Sequence, residues 1–212
     1  GRSHQDSDHW LGGSIHDTAR EITERGGRGV AVACDHRDDA QVKAVFDRVR
    51  EEQGGLDILV NNATYIPDEV TQSGPFWEKP LSLWEINDVG LRSHYVSAWY
   101  AAPLLVERGA GLLVFTSSPG ARCYMHGPAY GVSKAGTDKM AADMAHDLRP
   151  YNVASLSVWM GMLLTERTRY VLQTESERYG DIAEQAETPE FTGRVIDALA
   201  RDPALMERTG QI

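Results

Sequence analysis

With only two cysteines in 212 residues, Cys34 and Cys123, the chain cannot build a disulfide framework, and a reducing compartment is expected. No apolar run approaches the roughly twenty residues of a membrane-spanning helix, so the expectation is a soluble, cytoplasmic protein. Cations are scarce. There are 21 Lys and Arg against 31 Asp and Glu, a formal charge of -10. Without clustered Lys and Arg there is no footprint for a phosphate backbone, which excludes nucleic acid as an expected partner. Metal-ligand spacing is missing too: His4 and His9 flank Asp6 and Asp8 in what reads as a polar loop. No internal repeat or low-complexity tract interrupts the chain. An apolar content of 42% over this length suits one sizeable core, so residues 1–212 are read as one domain.

What is present is an alternation of helical and strand patterns. Residues 18 to 26 read as an amphipathic helix ending at Gly26-Gly27, and 29 to 34 as a buried strand. Helices are expected over 38 to 53, 81 to 107 and 130 to 149, and strands over 56 to 61, 111 to 117 and 153 to 158. Residues 4 to 13 and 65 to 80 read as loops. The expected fold is α/β, a doubly wound parallel sheet with helices on both faces in three layers. Ligands bind such sheets beyond the carboxyl ends of the strands. Asp35, Asn61-Asn62, Ser117-Ser118 and Met160-Gly161 all fall there.

Three phrases carry chemistry. Ala129-Tyr130-Gly131-Val132-Ser133-Lys134 places a tyrosine and a lysine one helical turn apart on one face. A tyrosine proton leaves near pH ~10, so acid or base work near neutrality needs a neighbouring positive charge, which Lys134 can supply. Upstream, Leu113-Val114-Phe115-Thr116-Ser117-Ser118 ends an apolar run in hydroxyls, and Leu56-Asp57-Ile58-Leu59-Val60-Asn61-Asn62-Ala63 ends another in amides.

On these phrases the chain resembles the short-chain dehydrogenase/reductase family over most of its length. Its texture is nearest the member 1 branch, through Phe76-Trp77-Glu78, Val89-Gly90-Leu91-Arg92, Ser117-Ser118-Pro119-Gly120 and Tyr124-Met125. The resemblance implies a Rossmann-like sheet that binds a nicotinamide dinucleotide, and interconversion of a carbonyl and an alcohol on a moderately apolar small molecule. Tyr130 is then the proton donor or acceptor, and Lys134 tunes it and binds the nicotinamide ribose. A serine orients the reacting oxygen. Alignment on the doublet selects Ser118, and the commonest serine-to-tyrosine spacing selects Ser117. Asn61 and Ala63 match a phrase beside the adenosine ribose, Asp35 an adenine contact, and Gly161 and Thr165 a carboxamide-holding turn. Arg2-Ser3 falls where the far ribose is read, and an arginine there suits a 2'-phosphate, so NADP is preferred with NAD possible. Association into a homodimer or homotetramer through the long helices is implied as well.

The pattern is broken in places. Thr64 replaces a glycine, Met160 a proline and Gly90 an asparagine of the family's proton relay; Asn87 reads as a solvated helix residue that does not replace it. These departures keep a second reading open, a catalytically impaired dinucleotide-binding or interaction protein on the same fold. The glycine-rich turn that cradles the pyrophosphate has no counterpart in these residues, since Gly26-Gly27-Arg28-Gly29 follows a helix and enters a strand. The 212 residues are therefore expected to be part of a longer sequence. Trp77, Tyr124, Met125 and Met162 would wall a substrate site, Trp84 reads as core, and Cys123 reads as loop packing.

Overall fold

The computed structural model describes residues 12–174 and 186–212. A parallel sheet runs in the order β1 (Ile58–Asn61), β2 (Gly111–Ser117), β3 (Val153–Trp159). Ile58 pairs with Leu112 and Asn61 with Phe115 on one side of β2, while Gly111 pairs with Val153 and Ser117 with Trp159 on the other. As the middle strand, β2 is covered on both faces, which is why Leu112 to Ser117 are all buried and read as a continuous apolar run ending in hydroxyls.

Alternation along the strands sends side chains to two cores. Leu113, Phe115 and Val153 pack with Ala98 and Leu105 of α3 (Ser93–Arg108) and with Ala141 and Leu148 of α4 (Pro128–Leu148). Leu112, Val114, Ala154 and Leu156 face the opposite layer, where Ile196 and Leu199 of α6 (Pro189–Arg201) and Leu205 and Met206 of α7 (Leu205–Arg208) cover them. The expected three layers are therefore present. Two helices precede the sheet. In α1 (Ile15–Glu24) Ser14 caps the first turn by accepting from the Asp17 amide, which starts the helix earlier than its apolar periodicity suggests. In α2 (Asp39–Gln53) Asp38 accepts from the Ala40 and Gln41 amides, and the helix packs Val42, Val45 and Phe46 against Val96 and Tyr100 of α3.

Two expected elements differ. Residues 29 to 34 are extended, but among the described residues no strand pairs with them. A cleft separates them from the outer edge of β1, where Val60 lines it and is 40% exposed. The expected helix over 81 to 107 is broken. Leu81–Asn87 forms tight 3-10 turns, Val89 and Gly90 leave helical geometry, and the α-helix proper starts at Ser93. The cause is tertiary. Gly90 adopts φ 138°, and a Cβ there would lie 3.2 Å from Thr64 Oγ1. The Tyr65 amide meanwhile donates to the Val89 carbonyl at 2.9 Å, so the loop after β1 takes a hydrogen-bonding group that a continuous helix would use itself. At the other end of the chain, the Gly210 amide donates to the Ser155 carbonyl at 2.8 Å and the Ser157 amide to the Gln211 carbonyl at 3.2 Å, so the last residues line the free edge of β3.

Gly90→Ala should lower the free energy of unfolding by roughly 1–3 kcal/mol, the cost of forcing a side chain into a left-handed backbone and against Thr64. Urea unfolding of the purified variant measures this, and an unchanged midpoint would mean that the kink is not fixed by the glycine.

Candidate functional site

The site is built where β2 ends and α4 begins. Ser118, the first residue past β2, accepts from the Gly120 amide at 3.2 Å and so caps the short turn Pro119–Ala121. Its hydroxyl also lies 2.8 Å from the Tyr130 hydroxyl in the first turn of α4. Glycine at 120 allows this approach, because a Cβ there would stand 2.5 Å from Tyr130 Cε1. His126 closes the other side of the ring, edge to face with centroids 5.0 Å apart, and is held at a positive φ of 58°. Such backbone strain in a non-glycine residue survives only where surrounding contacts enforce it.

Lys134 follows one turn along α4 and is buried. Its ammonium donates to the Thr116 carbonyl at 3.4 Å and lies 5.7 Å from the centre of the Tyr130 ring. Ser117 is turned away from this group, since its hydroxyl is fully buried and donates to the Lys134 carbonyl at 3.3 Å. Ser118 is thus the member of the doublet that meets Tyr130. Burial pushes the Tyr130 phenol above its ordinary value near 10, partly offset by the bond with Ser118. Burial also pulls the Lys134 ammonium down, and Asp138 offsets part of that. The charge expected to lower the phenol therefore lies over the ring, while burial of the hydroxyl dominates in the opposite direction.

Sequence reasoning passed over Asp138, although its position one turn beyond Lys134 was a readable signal. The carboxylate is buried and accepts from Ser157 Oγ at 2.6 Å and Trp159 Nε1 at 2.9 Å, which pins α4 to β3. Asn87, expected in solvent, is buried. Its Nδ2 donates to the Trp84 and Ala129 carbonyls at 3.2 and 3.3 Å, tying the 81–87 turns to the residue before Tyr130. His94 was also missed. It is 2% exposed, with Nε2 2.8 Å from the Ala63 carbonyl, and burial lowers its pKa from 6.5 to about 4, so it is neutral near pH 7 and donates that bond.

The cleft between residues 32–36 and β1 has a volume of about 500 Å³ and is lined by Asp35, His36, Asn61, Asn62, Ala63 and Thr64 among others. Its polar groups are arranged for a ligand with hydrogen-bonding edges. Asn61 is buried with Nδ2 unpartnered among the described residues, and His36 Nδ1 is likewise unpartnered. Asn62 Oδ1 instead accepts from Thr116 Oγ1 at 2.9 Å, and the Asp35 carboxylate accepts from the Arg37 amide at 3.0 Å. At its Thr64 end the cleft is lined by Val89, and at the next residue, Gly90, a Cβ would lie 3.6 Å from the hydroxyl of Ser133, the residue before Lys134. The orphaned Asn61 amide is a buried donor of the kind a hydrogen-bonding ligand such as a nucleoside would satisfy.

The remaining expected residues are placed less closely. At Gly161, just past β3, a Cβ would meet the Glu187 carboxylate at 3.1–3.3 Å. Thr165 Oγ1 accepts from the Thr168 amide at 3.2 Å, which starts α5 (Glu166–Thr174). Arg2 and Ser3 lie outside the described residues. A second cavity, of about 440 Å³, opens beside Tyr130 and is walled by Phe76, Trp77, Leu83, Trp84 and His126. Trp84 is 53% exposed and faces this cavity instead of the core, because the tight turns at 81–87 replace the expected helix. Tyr124, expected as a wall, is 81% exposed and does not line it.

Two tests follow from the buried charges. Between pH 6.5 and 4 the unfolded chain protonates His94 and the folded chain does not, so stability falls as pH falls through that window. His94→Gln should remove about 3 kcal/mol of this acid destabilisation, read as the difference between the two proteins' urea midpoints at pH 4.5 and 7; parallel curves would refute the assignment. Lys134→Met should raise the unfolding midpoint at neutral pH while losing turnover, because it replaces a desolvated ammonium with an apolar side chain of similar length. Since the folded-state lysine is pulled below 10.5, the unfolded state binds more protons just under that pH, and the gap between variant and parent should shrink as pH rises towards it. A lowered midpoint at pH 7 would contradict this.

Comparison with known proteins agrees with the geometry. The profile of the family described as short chain dehydrogenase matches residues 12–176. The protein called dehydrogenase/reductase SDR family member 1 is 40% identical in mouse over 210 residues, 94% of this chain and 67% of that one. The human protein of that name is 41% identical over 205 residues, 92% and 66% of the two chains. The chain thus spans about two thirds of the length of these relatives. In fold, the crystal structure of L-sorbose reductase from Gluconobacter frateurii, complexed with NADPH and L-sorbose, superposes with a TM-score of 0.78 at 22% identity, covering 93% of this chain and 79% of that one.

Proposed function

The chain belongs to the short-chain dehydrogenase family, and from that premise we propose that it is an NAD(P)-dependent oxidoreductase interconverting a carbonyl and an alcohol on a moderately apolar small molecule. The observation that carries this reading is the 2.8 Å contact between the Ser118 and Tyr130 hydroxyls, one turn of α4 from the buried Lys134 ammonium. The nicotinamide dinucleotide would supply the hydride. Asp35, Asn61 and Ala63 in the cleft would hold it together with Gly161 and Thr165, and Tyr130 and Lys134 would bind its ribose. Arg2-Ser3 favours NADP over NAD on sequence grounds.

Within this reading, the chain's own residues handle the proton. Because burial keeps the Tyr130 phenol above its usual range, it is protonated at neutral pH and is set to donate to a carbonyl oxygen. Ser118, already hydrogen-bonded to that phenol, would hold the same oxygen in place. The ammonium of Lys134 then balances the phenolate left behind. Gly90 stands where the family pattern has an amide, so proton return depends on water and on hydroxyls near Thr64 and Ser133. That same substitution is the observation favouring the alternative, a dinucleotide-binding protein with impaired chemistry.

Tyr130→Phe should keep cofactor affinity and lose on the order of 10²–10⁴-fold in turnover. Fluorescence titrations with NADPH and NADH give the affinity and the preference, and a panel of ketones and aldehydes gives the turnover. Unchanged activity in the variant would sink the role of Tyr130. A parent protein that binds NADPH and reduces nothing on the panel would favour the alternative.

A further inference from the structure

The cavity beside Tyr130 contains one element that an apolar substrate does not explain. Of the four lysines in the chain, Lys43 and Lys139 pair with Asp47 and Asp143, and Lys134 is in the site. Lys79 has no ion pair among the described residues. It is half-buried, its stem lines the cavity, and its ammonium lies 3.9 Å from where a Cβ on Gly127 would stand, at the start of α4. This is the usual posture of a lysine that covers apolar surface and presents its charge at the rim. Among the described residues no carboxylate lines the cavity, and exposed Glu78, next in sequence, does not line it either. The charge is felt inside, because it adds to burial in holding the His126 imidazole below its ordinary range. His126 in turn packs edge to face on Tyr130. From the rim inward the order is cation, neutral imidazole, reacting phenol, with the rings of Phe76, Trp77 and Trp84 along the wall.

We propose that this cavity is the substrate subsite, and that it takes a carbonyl compound with an aromatic or similarly flat apolar body and a carboxylate, the carboxylate pairing with Lys79. The inference rests on the oxidoreductase reading and adds the substrate class to it. The reaction is balanced by that reading: hydride from the reduced nicotinamide goes to the carbonyl carbon, the Tyr130 proton goes to the oxygen, and the products are a hydroxy acid and the oxidised dinucleotide. A chain of net charge -10 repels an anion at long range, so a cation with no ion pair among the described residues is what makes such a substrate admissible.

The test uses 4-acetylbenzoate and its neutral isostere 4-acetylbenzamide, with NADPH, on the parent protein, Lys79→Met and Lys79→Arg. The parent should favour the carboxylate in kcat/KM by roughly tenfold or more, the size of one partly desolvated charged hydrogen bond. Lys79→Met should erase that preference through KM, bringing the ratio of kcat/KM for the two ketones close to one, and Lys79→Arg should retain it. Quenching of Trp77 and Trp84 fluorescence by 4-acetylbenzoate gives a second reading that does not need turnover. Equal use of both ketones by the parent would overturn this inference and leave the oxidoreductase reading intact. No turnover of any carbonyl, with a Lys79-dependent quench, would overturn the oxidoreductase reading and keep the anion subsite. Quenching that is absent or indifferent to Lys79→Met, together with no preference in turnover, would remove it.

Discussion

Three consecutive hydroxyls at the carboxyl end of β2 hold the site together. Thr116 donates to the Asn62 side chain and fixes the end of β1; Ser117 donates to the Lys134 carbonyl and fixes α4; Ser118 meets the Tyr130 hydroxyl. Lys134 returns a bond to the Thr116 carbonyl. The three hydroxyls and Lys134 are buried, so each would cost free energy if left unpaired. The strand that carries them is covered on both faces and cannot shift without opening both cores. The precision of the Tyr130 contact is therefore inherited from the packing of Leu112 to Phe115, several residues upstream of any chemistry.

That precision is obtained against stability. Lys134 is buried with a carbonyl as its acceptor, His126 is held in a left-handed backbone, and a side chain at 120 would collide with the Tyr130 ring. The compensation lies next door. Asp138 is clamped by Ser157 and Trp159 of β3, and it opposes the desolvation of Lys134 from one turn away. The Asn87 amide joins the 81–87 turns to the α4 backbone at Ala129, just before Tyr130. Local strain concentrated where chemistry is proposed, and bonded support around it, is the distribution expected when a site is selected for placement of groups and the rest of the fold for stability.

How much of this was legible depends on whether the deciding contact is local. The strand β2 could be read because burial on both faces leaves an unbroken apolar run, and α2 because Asp38 announces its first turn. The pairing of Tyr130 with Lys134 follows from helical spacing alone. The choice between Ser117 and Ser118 does not: adjacent strand residues point to opposite sides, and only the position of α4 decides which side carries the phenol. His94 and Lys79 were invisible for the same reason. One is defined by the Ala63 carbonyl it meets and the other by a cavity that no carboxylate lines among the described residues.

The two departures at Thr64 and Gly90 looked unrelated in sequence, one a gained side chain and the other a lost amide. In the fold they face each other. The Thr64 hydroxyl occupies the space into which a side chain at position 90 would project, and the adjacent Tyr65 amide takes the Val89 carbonyl out of the helical ladder. A glycine at 90 is then a requirement of the kink, which also sets position 90 close to Ser133 of α4. Restoring an asparagine at 90 would not restore an amide to a helix, because no helix runs through that position here. Gly90 is therefore tied to the packing of Thr64, whichever reading of the proton path holds.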